Sequence, residues 1–114
     1  MAERLYDRAT FIEMSAGSEA VAKQVAELYH RDIIKDLDEI DSSFAGKDLD
    51  TIRRLSHRIR SSFAIMGAER LKELSANIEK RSQQGEINIG DMIKELRTLA
   101  LRLDEEITRD FLTV

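Results

Sequence analysis

Apolar residues recur along most of this chain at the three- and four-residue spacing that places them on one face of a helix. The clearest such stripe is Leu49, Ile52, Leu55, Ile59, Phe63 and Met66. Two further stripes are Leu71, Leu74 and Ile78, then Met92, Leu96, Leu99, Leu103 and Ile107. A broader stripe precedes them and contains Val21, Val25, Leu28, Leu37 and Ile40. Each stripe predicts an amphipathic helix that buries one face.

Glycines separate these stripes and mark the predicted helix ends. They are Gly17, Gly46, Gly67, Gly85 and Gly90. The first three intervals span about 28, 20 and 17 residues, and about 24 residues follow the last glycine. Ser18 and Asp48 are predicted N-caps of the first two long helices, and Asn88 or Asp91 is predicted to start the last one. A short helix over residues 7–15 is predicted before them.

Four amphipathic helices joined by short connections can close around one core. The predicted fold class is therefore all-α: an antiparallel up-down-up-down four-helix bundle with a short additional N-terminal helix. The whole chain, residues 1–114, is expected to form this single domain. The absence of proline and the abundance of good helix formers agree with that architecture.

Composition narrows the classes of function. The chain has no cysteine, which excludes a disulfide framework and a thiolate site. No apolar run approaches the roughly 20 residues of a membrane-spanning helix, and the N-terminal sequence MAERLYDRAT lacks the apolar core of a signal peptide. A cytoplasmic location without membrane contact is the expectation. The net charge of −4 and the isoelectric point near 5.2 argue against nucleic-acid binding, which needs a basic surface.

His57, in the second long helix, carries the candidate chemistry. At about 100° per residue its side chain points roughly 165° away from the centre of the apolar stripe, toward solvent. This placement excludes a core histidine and leaves an ordinary surface histidine as the alternative. Arg53 and Arg54 lie one turn before it, and Arg60 and Ser61 lie one turn after it. Because helical side chains lean toward the N-terminus, Arg60 inclines over the ring, whereas the small Ser61 leaves the ring open.

The segment 49–67 is basic within an acidic chain. It contains four arginines against the single acidic Asp50, a net charge of +3. Such a run is usually a solvated helix face, but it also suits an anion. A neutral imidazole beside a guanidinium can act as the nucleophile in phosphoryl transfer, while the cation holds the phosphoryl oxygens. The chain has no GxxxxGK[ST] loop, no nucleophile elbow, and only one further histidine, His30, too distant for a helical metal pair.

The sequence SHRIRSSFAIMGAERLKELSANIE, residues 56–79, resembles the signature of histidine-containing phosphotransfer (HPt) domains. That signature has a histidine, a basic residue three positions later, small residues, a Gly-Ala pair and a Leu-rich helix that ends in Glu or Gln. FIEMSAGSEAVAKQVAELYHRDI and AGKDLDTIRRLSH resemble the preceding parts of the family. The likeness therefore extends over nearly the whole chain.

The resemblance implies a role for each matching residue. His57 stands at the position that is phosphorylated in the family, through Nε2. Arg60 stands where the family usually has the lysine that steadies the phosphoryl group, and Ser61 stands where it most often has glycine. Glu79 matches the acidic or amide residue that orients the imidazole. Both departures change the local geometry, since arginine is a broad planar fork rather than a compact ammonium and serine adds a hydroxyl.

The resemblance also implies partners. Proteins of this family take a phosphoryl group from the aspartate of one receiver domain and pass it to another, without catalysing the transfer and without a cofactor; Mg²⁺ is expected in the receiver only. The expected partners are the receiver domains of a hybrid histidine kinase and of a response regulator, and the chain is expected to be a monomer. Docking should need an apolar surface near His57. Ile65 is the first candidate for it, and Phe11, Ile12 and Met14 are weaker ones; the alternative for these residues is burial as a cap over the bundle.

Two other interpretations stay open. A helical bundle that binds or sequesters a receiver without carrying phosphate would have the same fold and would not need His57. The dimerisation domain of a histidine kinase also exposes a histidine, but it typically has an acidic residue after it and a proline nearby. Here Arg58 follows and the chain has no proline. His30 lacks both a basic turn and a small neighbour and is interpreted as structural.

Overall fold

The computed structural model describes residues 4–113, and within that range it consists of helices joined by short turns. The helices are α1 (Arg8–Met14), α2 (Glu19–Ala45), α3 (Leu49–Met66), α4 (Glu69–Gln83) and α5 (Gly90–Ile107), followed by a π-helical turn (Thr108–Leu112). Each of α2 to α5 packs against two others in the order α2, α3, α4, α5, so the four close a bundle, and α1 packs against α2 and α3. The predicted all-α bundle with a short additional N-terminal helix is confirmed.

Each of the first three helices begins at a side chain that caps its first turn. The side chain of Asp7 accepts a hydrogen bond from the Thr10 N–H at the start of α1. Ser18 caps α2 in the same way, as predicted, through the N–H of Val21. Each such contact satisfies one of the backbone donors that a helix leaves unpaired at its first turn.

Asp48 likewise caps α3, as predicted, through the N–H of Thr51. The start of α5 differs from the prediction, because neither Asn88 nor Asp91 caps it. The helix begins at Gly90, after a fully buried Ile89 whose side chain cannot cap. A Cβ at Gly90 would lie 3.2 Å from the ring of Phe44, so packing against the end of α2 decides where α5 starts.

The apolar stripes of α3, α4 and α5 are confirmed, with Leu49 and Met92 half-buried at the margins and the other members buried. In α2 the prediction is wrong for the first two turns. Val21 and Leu28 are exposed, by 39% and 50%, whereas the buried face there consists of Ala22, Ala26 and Tyr29. Small alanines let α2 approach its neighbours closely, and the larger apolar side chains of that segment therefore remain on its outer face.

The turn between α3 and α4 positions the two helices that matter for the site. Gly67 ends α3 in the left-handed conformation, with φ of 68°, and its N–H and that of Ala68 donate to the last carbonyls of α3. A Cβ at Gly67 would lie 3.0 Å from the Cβ atoms of both Asp7 and Thr10, so α1 closes over the turn. Within residues 4–113, no helix has the length and apolar character needed to cross a membrane.

Candidate functional site

His57 lies in the third turn of α3 with its ring directed outward. Its neighbours Leu55 and Ile59 are buried, whereas 60% of the His57 side chain is exposed. The helical periodicity of the sequence therefore predicted its orientation correctly. An exposed imidazole on a rigid helix is accessible to another macromolecule.

Glu79 of α4 holds one nitrogen of that ring. Its Oε2 lies 2.9 Å from Nδ1 of His57, and only 17% of the Glu79 side chain is exposed. An ionised carboxylate can only accept, so Glu79 favours the tautomer in which Nδ1–H donates and the lone pair of the neutral ring is on Nε2. Nε2 has no hydrogen-bond partner among the residues that the structure describes.

Arg60 completes a three-membered cluster with His57 and Glu79. Its Nη1 lies 3.0 Å from the other oxygen of Glu79, Oε1, in an ion pair whose angles are not those of a hydrogen bond. Its Nη2 lies 3.2 Å from Nδ1 of His57. The sequence placed Arg60 over the ring, but it gave no sign that the guanidinium would also contact Glu79, because that contact crosses between helices.

Ser61 follows at the next helical position and is exposed. Ala64, one turn further, is half-buried and small. Both residues of α3 that follow His57 by one and two turns therefore have small side chains. The structure brings Arg60 and Glu79 into contact with the His57 ring, and Ser61 lies on the next turn of the same helix.

The remaining arginines of α3 are paired with carboxylates. Arg53 and Arg54 bind Asp50 of their own helix at 2.9 and 3.2 Å. Arg58 binds Asp36, a largely buried carboxylate on α2. Burial raises the pKa of the Asp36 carboxyl, and Arg58 offsets that rise only in part. The net charge of +3 counted along α3 is therefore partly neutralised in space.

Asp36 is a residue that the sequence reasoning missed. The sequence does indicate that Asp36 faces the core, because it stands three residues after Ile33 and four before Ile40, within the apolar stripe of α2. A carboxylate at such a position needs a cation from a neighbouring helix.

A groove of about 400 Å³ runs between α2 and α3, and its lining includes Arg58, the residue after His57. Val25, Leu28 and Ile65 contribute its apolar wall, and the Asp36–Arg58 pair borders it. Leu28 is half-exposed, and Ile65 is partly buried against the core. Leu28, which the α2 stripe misassigned to the core, thus forms part of this open apolar surface.

Two of the weaker docking candidates do not provide an open surface. Phe11 is fully buried and packs edge-on against Tyr6 and Phe111, so the alternative of burial applies to it. Ile12 is partly buried against the core, and Met14 is 57% exposed at the end of α1. The ring of Phe111, from the C-terminal π-helical turn, lies 5.1 Å from that of Phe11, a long-range contact that periodicity does not reveal.

His30 occupies a similar local setting on another face. Its Nδ1 lies 2.8 Å from Oδ1 of Asp104 on α5, and 51% of its side chain is exposed. This carboxylate contact also escaped the sequence reasoning. The contact links α2 to α5, and no guanidinium contacts this ring among residues 4–113.

The described residues contain no group of three or more His, Cys, Asp or Glu side chains that could hold a metal ion. The model of the Hpt domain family matches residues 24–109. A comparison with curated proteins gives no match. Among solved structures, the chain is similar to histidine-containing phosphotransfer protein B (HptB) from Pseudomonas aeruginosa PAO1, with a TM-score of 0.86, 13% sequence identity and coverage of 97% of both chains. At that identity the likeness concerns the fold.

Proposed function

Because the chain belongs to the Hpt domain family, we propose that it is a phosphoryl carrier in which His57 accepts a phosphoryl group from the aspartate of one receiver domain and passes it to a second. One observation carries the proposal. Nδ1 of His57 is engaged by Glu79 while Nε2 faces outward without a partner among the described residues. The contact with Glu79 favours the tautomer whose free lone pair is on the accessible nitrogen.

The transfer step follows from this geometry. The Nε2 lone pair forms a bond to phosphorus as the bond from phosphorus to the receiver's aspartate oxygen breaks, and the carboxylate leaves with that electron pair. The proton on Nδ1 stays with the ring, which becomes positively charged and is stabilised by Glu79. Arg60 is the cation that can turn to the phosphoryl oxygens.

In this proposal the chain is a carrier rather than an enzyme. Mg²⁺ and the groups that activate the phosphoryl donor belong to the receiver, and the chain itself needs no cofactor. The proposed partners are the receiver domains of a hybrid histidine kinase and of a response regulator. The chain itself is proposed to be a monomer in the cytoplasm.

The groove between α2 and α3 is the proposed docking surface. Its lining includes Arg58, the residue after His57, and it presents Val25, Leu28 and Ile65 to a partner. A half-exposed leucine in such a groove is consistent with burial in a complex. The same groove would serve a module that binds a receiver without carrying phosphate, so docking alone does not separate the two functions.

Phosphotransfer from a phosphorylated receiver domain tests the proposal. The wild-type protein and His30→Gln should both acquire acid-labile, alkali-stable phosphate, and His57→Gln should acquire none while still binding the receiver. Labelling of His57→Gln at the wild-type rate would refute the role of His57. Binding without labelling of any variant would favour the interaction module.

A further inference from the structure

The contacts of Nδ1 of His57 cannot all be hydrogen bonds at once. Oε2 of Glu79 lies 2.9 Å from this nitrogen and Nη2 of Arg60 lies 3.2 Å from it. A carboxylate needs Nδ1 to donate, whereas a guanidinium, which has no acceptor, needs Nδ1 to accept. The two neighbours therefore favour different tautomers of the same neutral ring.

The two tautomers differ in which nitrogen can react. When Nδ1 carries the proton and donates to Glu79, the lone pair of Nε2 faces outward and is nucleophilic. When Arg60 donates to Nδ1, the proton is on Nε2, and the outward nitrogen has no lone pair available. Glu79 thus favours the reactive form of His57, and Arg60 opposes it.

The ion pair between Arg60 and Glu79 keeps both groups close to Nδ1 of His57. Nη1 of Arg60 lies 3.0 Å from Oε1 of Glu79, which keeps the guanidinium within reach of the ring. The other charged groups one turn away, Arg53 and Arg54, are occupied by Asp50. Among the described residues, Arg60 is the cation in contact with this imidazole.

We propose that Arg60 and Glu79 compete for Nδ1 of His57, so that Arg60 holds back the nucleophilic tautomer until the oxygens of an incoming phosphoryl group draw its guanidinium away. This proposal rests on the proposed function of His57 and adds a second role for Arg60. Arg60 is a positioning residue in the free protein and a charge-stabilising residue during transfer. The phosphoryl donor itself releases the restraint, because its oxygens are stronger acceptors for the guanidinium than a neutral ring nitrogen.

The tautomer can be measured directly without any phosphotransfer. Two-bond ¹H–¹⁵N correlation spectra of the ¹⁵N-labelled protein at about pH 9, where imidazole is neutral, report which ring nitrogen carries the proton. We expect the wild type to show a mixture for His57. Arg60→Ala should raise the ratio of the Nδ1–H to the Nε2–H form about fivefold, the size expected for loss of one hydrogen bond.

Removal of the opposing residue should have the opposite sign. Glu79→Ala frees Arg60 to donate to Nδ1 and should shift His57 toward the Nε2–H form, and the double variant should fall between the two single variants. His30 is an internal reference in the same spectra. Its Nδ1 lies 2.8 Å from Asp104 and 3.4 Å from the hydroxyl of Thr108, without a guanidinium contact among the described residues; because the carboxylate is the nearer group and can only accept, the signals of His30 should stay in the Nδ1–H pattern throughout.

An unchanged tautomer ratio in Arg60→Ala would overturn the inference, as would a wild-type ring that is already wholly in the Nδ1–H form. Circular dichroism checks that each variant is folded. If Glu79→Ala does not fold, the tautomer ratio of Arg60→Ala alone tests the inference. Failure of the proposed function is a different result. In that case His57 does not take a phosphoryl group from any receiver, whether or not the tautomer shifts.

Discussion

At the residue scale, the properties of His57 depend on side chains from two helices. Ser61 and Arg60 share its helix and could be placed beside the ring from spacing alone. The contact from Glu79 crosses to α4, and the sequence suggested it only through resemblance to a family. Helical periodicity gives directions around one axis, but distances between helices depend on how they pack.

Ser61 tests whether access to the ring limits transfer. In Ser61→Leu a bulky side chain at the next turn should cover the imidazole and slow transfer from a receiver by about tenfold or more. Because Ser61 is exposed, the free energy of unfolding should change by no more than about 0.5 kcal/mol. Ser61→Ala is the matched control and should transfer normally. Equal rates for both variants would show that the open side is not the route of approach.

Arg60 tests the stabilisation of charge during transfer. Arg60→Ala should remain folded and accept phosphate from a receiver about tenfold more slowly. That loss is smaller than the roughly 100-fold cost of removing a buried oxyanion donor, because Arg60 is partly exposed. Arg60→Lys restores the charge and should recover part of the rate. A rate that does not change in Arg60→Ala, measured by radiolabel transfer, would exclude this role.

At the scale of the helices, the sequence predicted most of what the structure contains. Side-chain caps at Ser18 and Asp48 were predictable because they use contacts within three residues. The errors fall where a distant element decides the outcome. Val21 and Leu28 are exposed because alanines form the packed face of α2, and α5 starts at Gly90 because Phe44 packs there.

The turn between α3 and α4 gives a stability prediction. Gly67→Ala places a Cβ at positive φ and 3.0 Å from Asp7 and Thr10, so it should lower the free energy of unfolding by about 2–3 kcal/mol. Gly85→Ala is the matched control, because Gly85 also has positive φ but its added Cβ meets nothing within 4 Å. It should cost about 1 kcal/mol, the backbone term alone. Equal losses in urea denaturation would mean that contact with α1 does not constrain this turn.

At the scale of the whole molecule, α3 carries the exposed His57 and also forms one wall of an open apolar groove. The four-helix arrangement was predictable from four stripes and short connections. The groove was not, because it combines one face of α2 with Ile65 of α3, and the α2 face was assigned to the core. The partner of Arg58 was also not predictable, since Asp36 lies on a different helix.

Leu28 and Ile34 make a matched pair for testing the groove. Both are apolar residues of α2, exposed by 50% and 51%, but only Leu28 lines the groove beside α3. Leu28→Asp should weaken binding of a receiver domain by about tenfold or more, whereas Ile34→Asp should change the dissociation constant by less than about twofold. Isothermal titration calorimetry measures both. Equal weakening by the two variants would exclude the groove as the docking surface.

The central claim concerns one atom, Nε2 of His57. The protein should be phosphorylated by a receiver domain and its phosphate located by mass spectrometry for the residue and by ³¹P and ¹⁵N NMR for the ring nitrogen. The account predicts a single phosphate per chain, on Nε2 of His57, because Glu79 occupies Nδ1. Phosphate on Nδ1 of that ring, on His30, or on no histidine at all would contradict it.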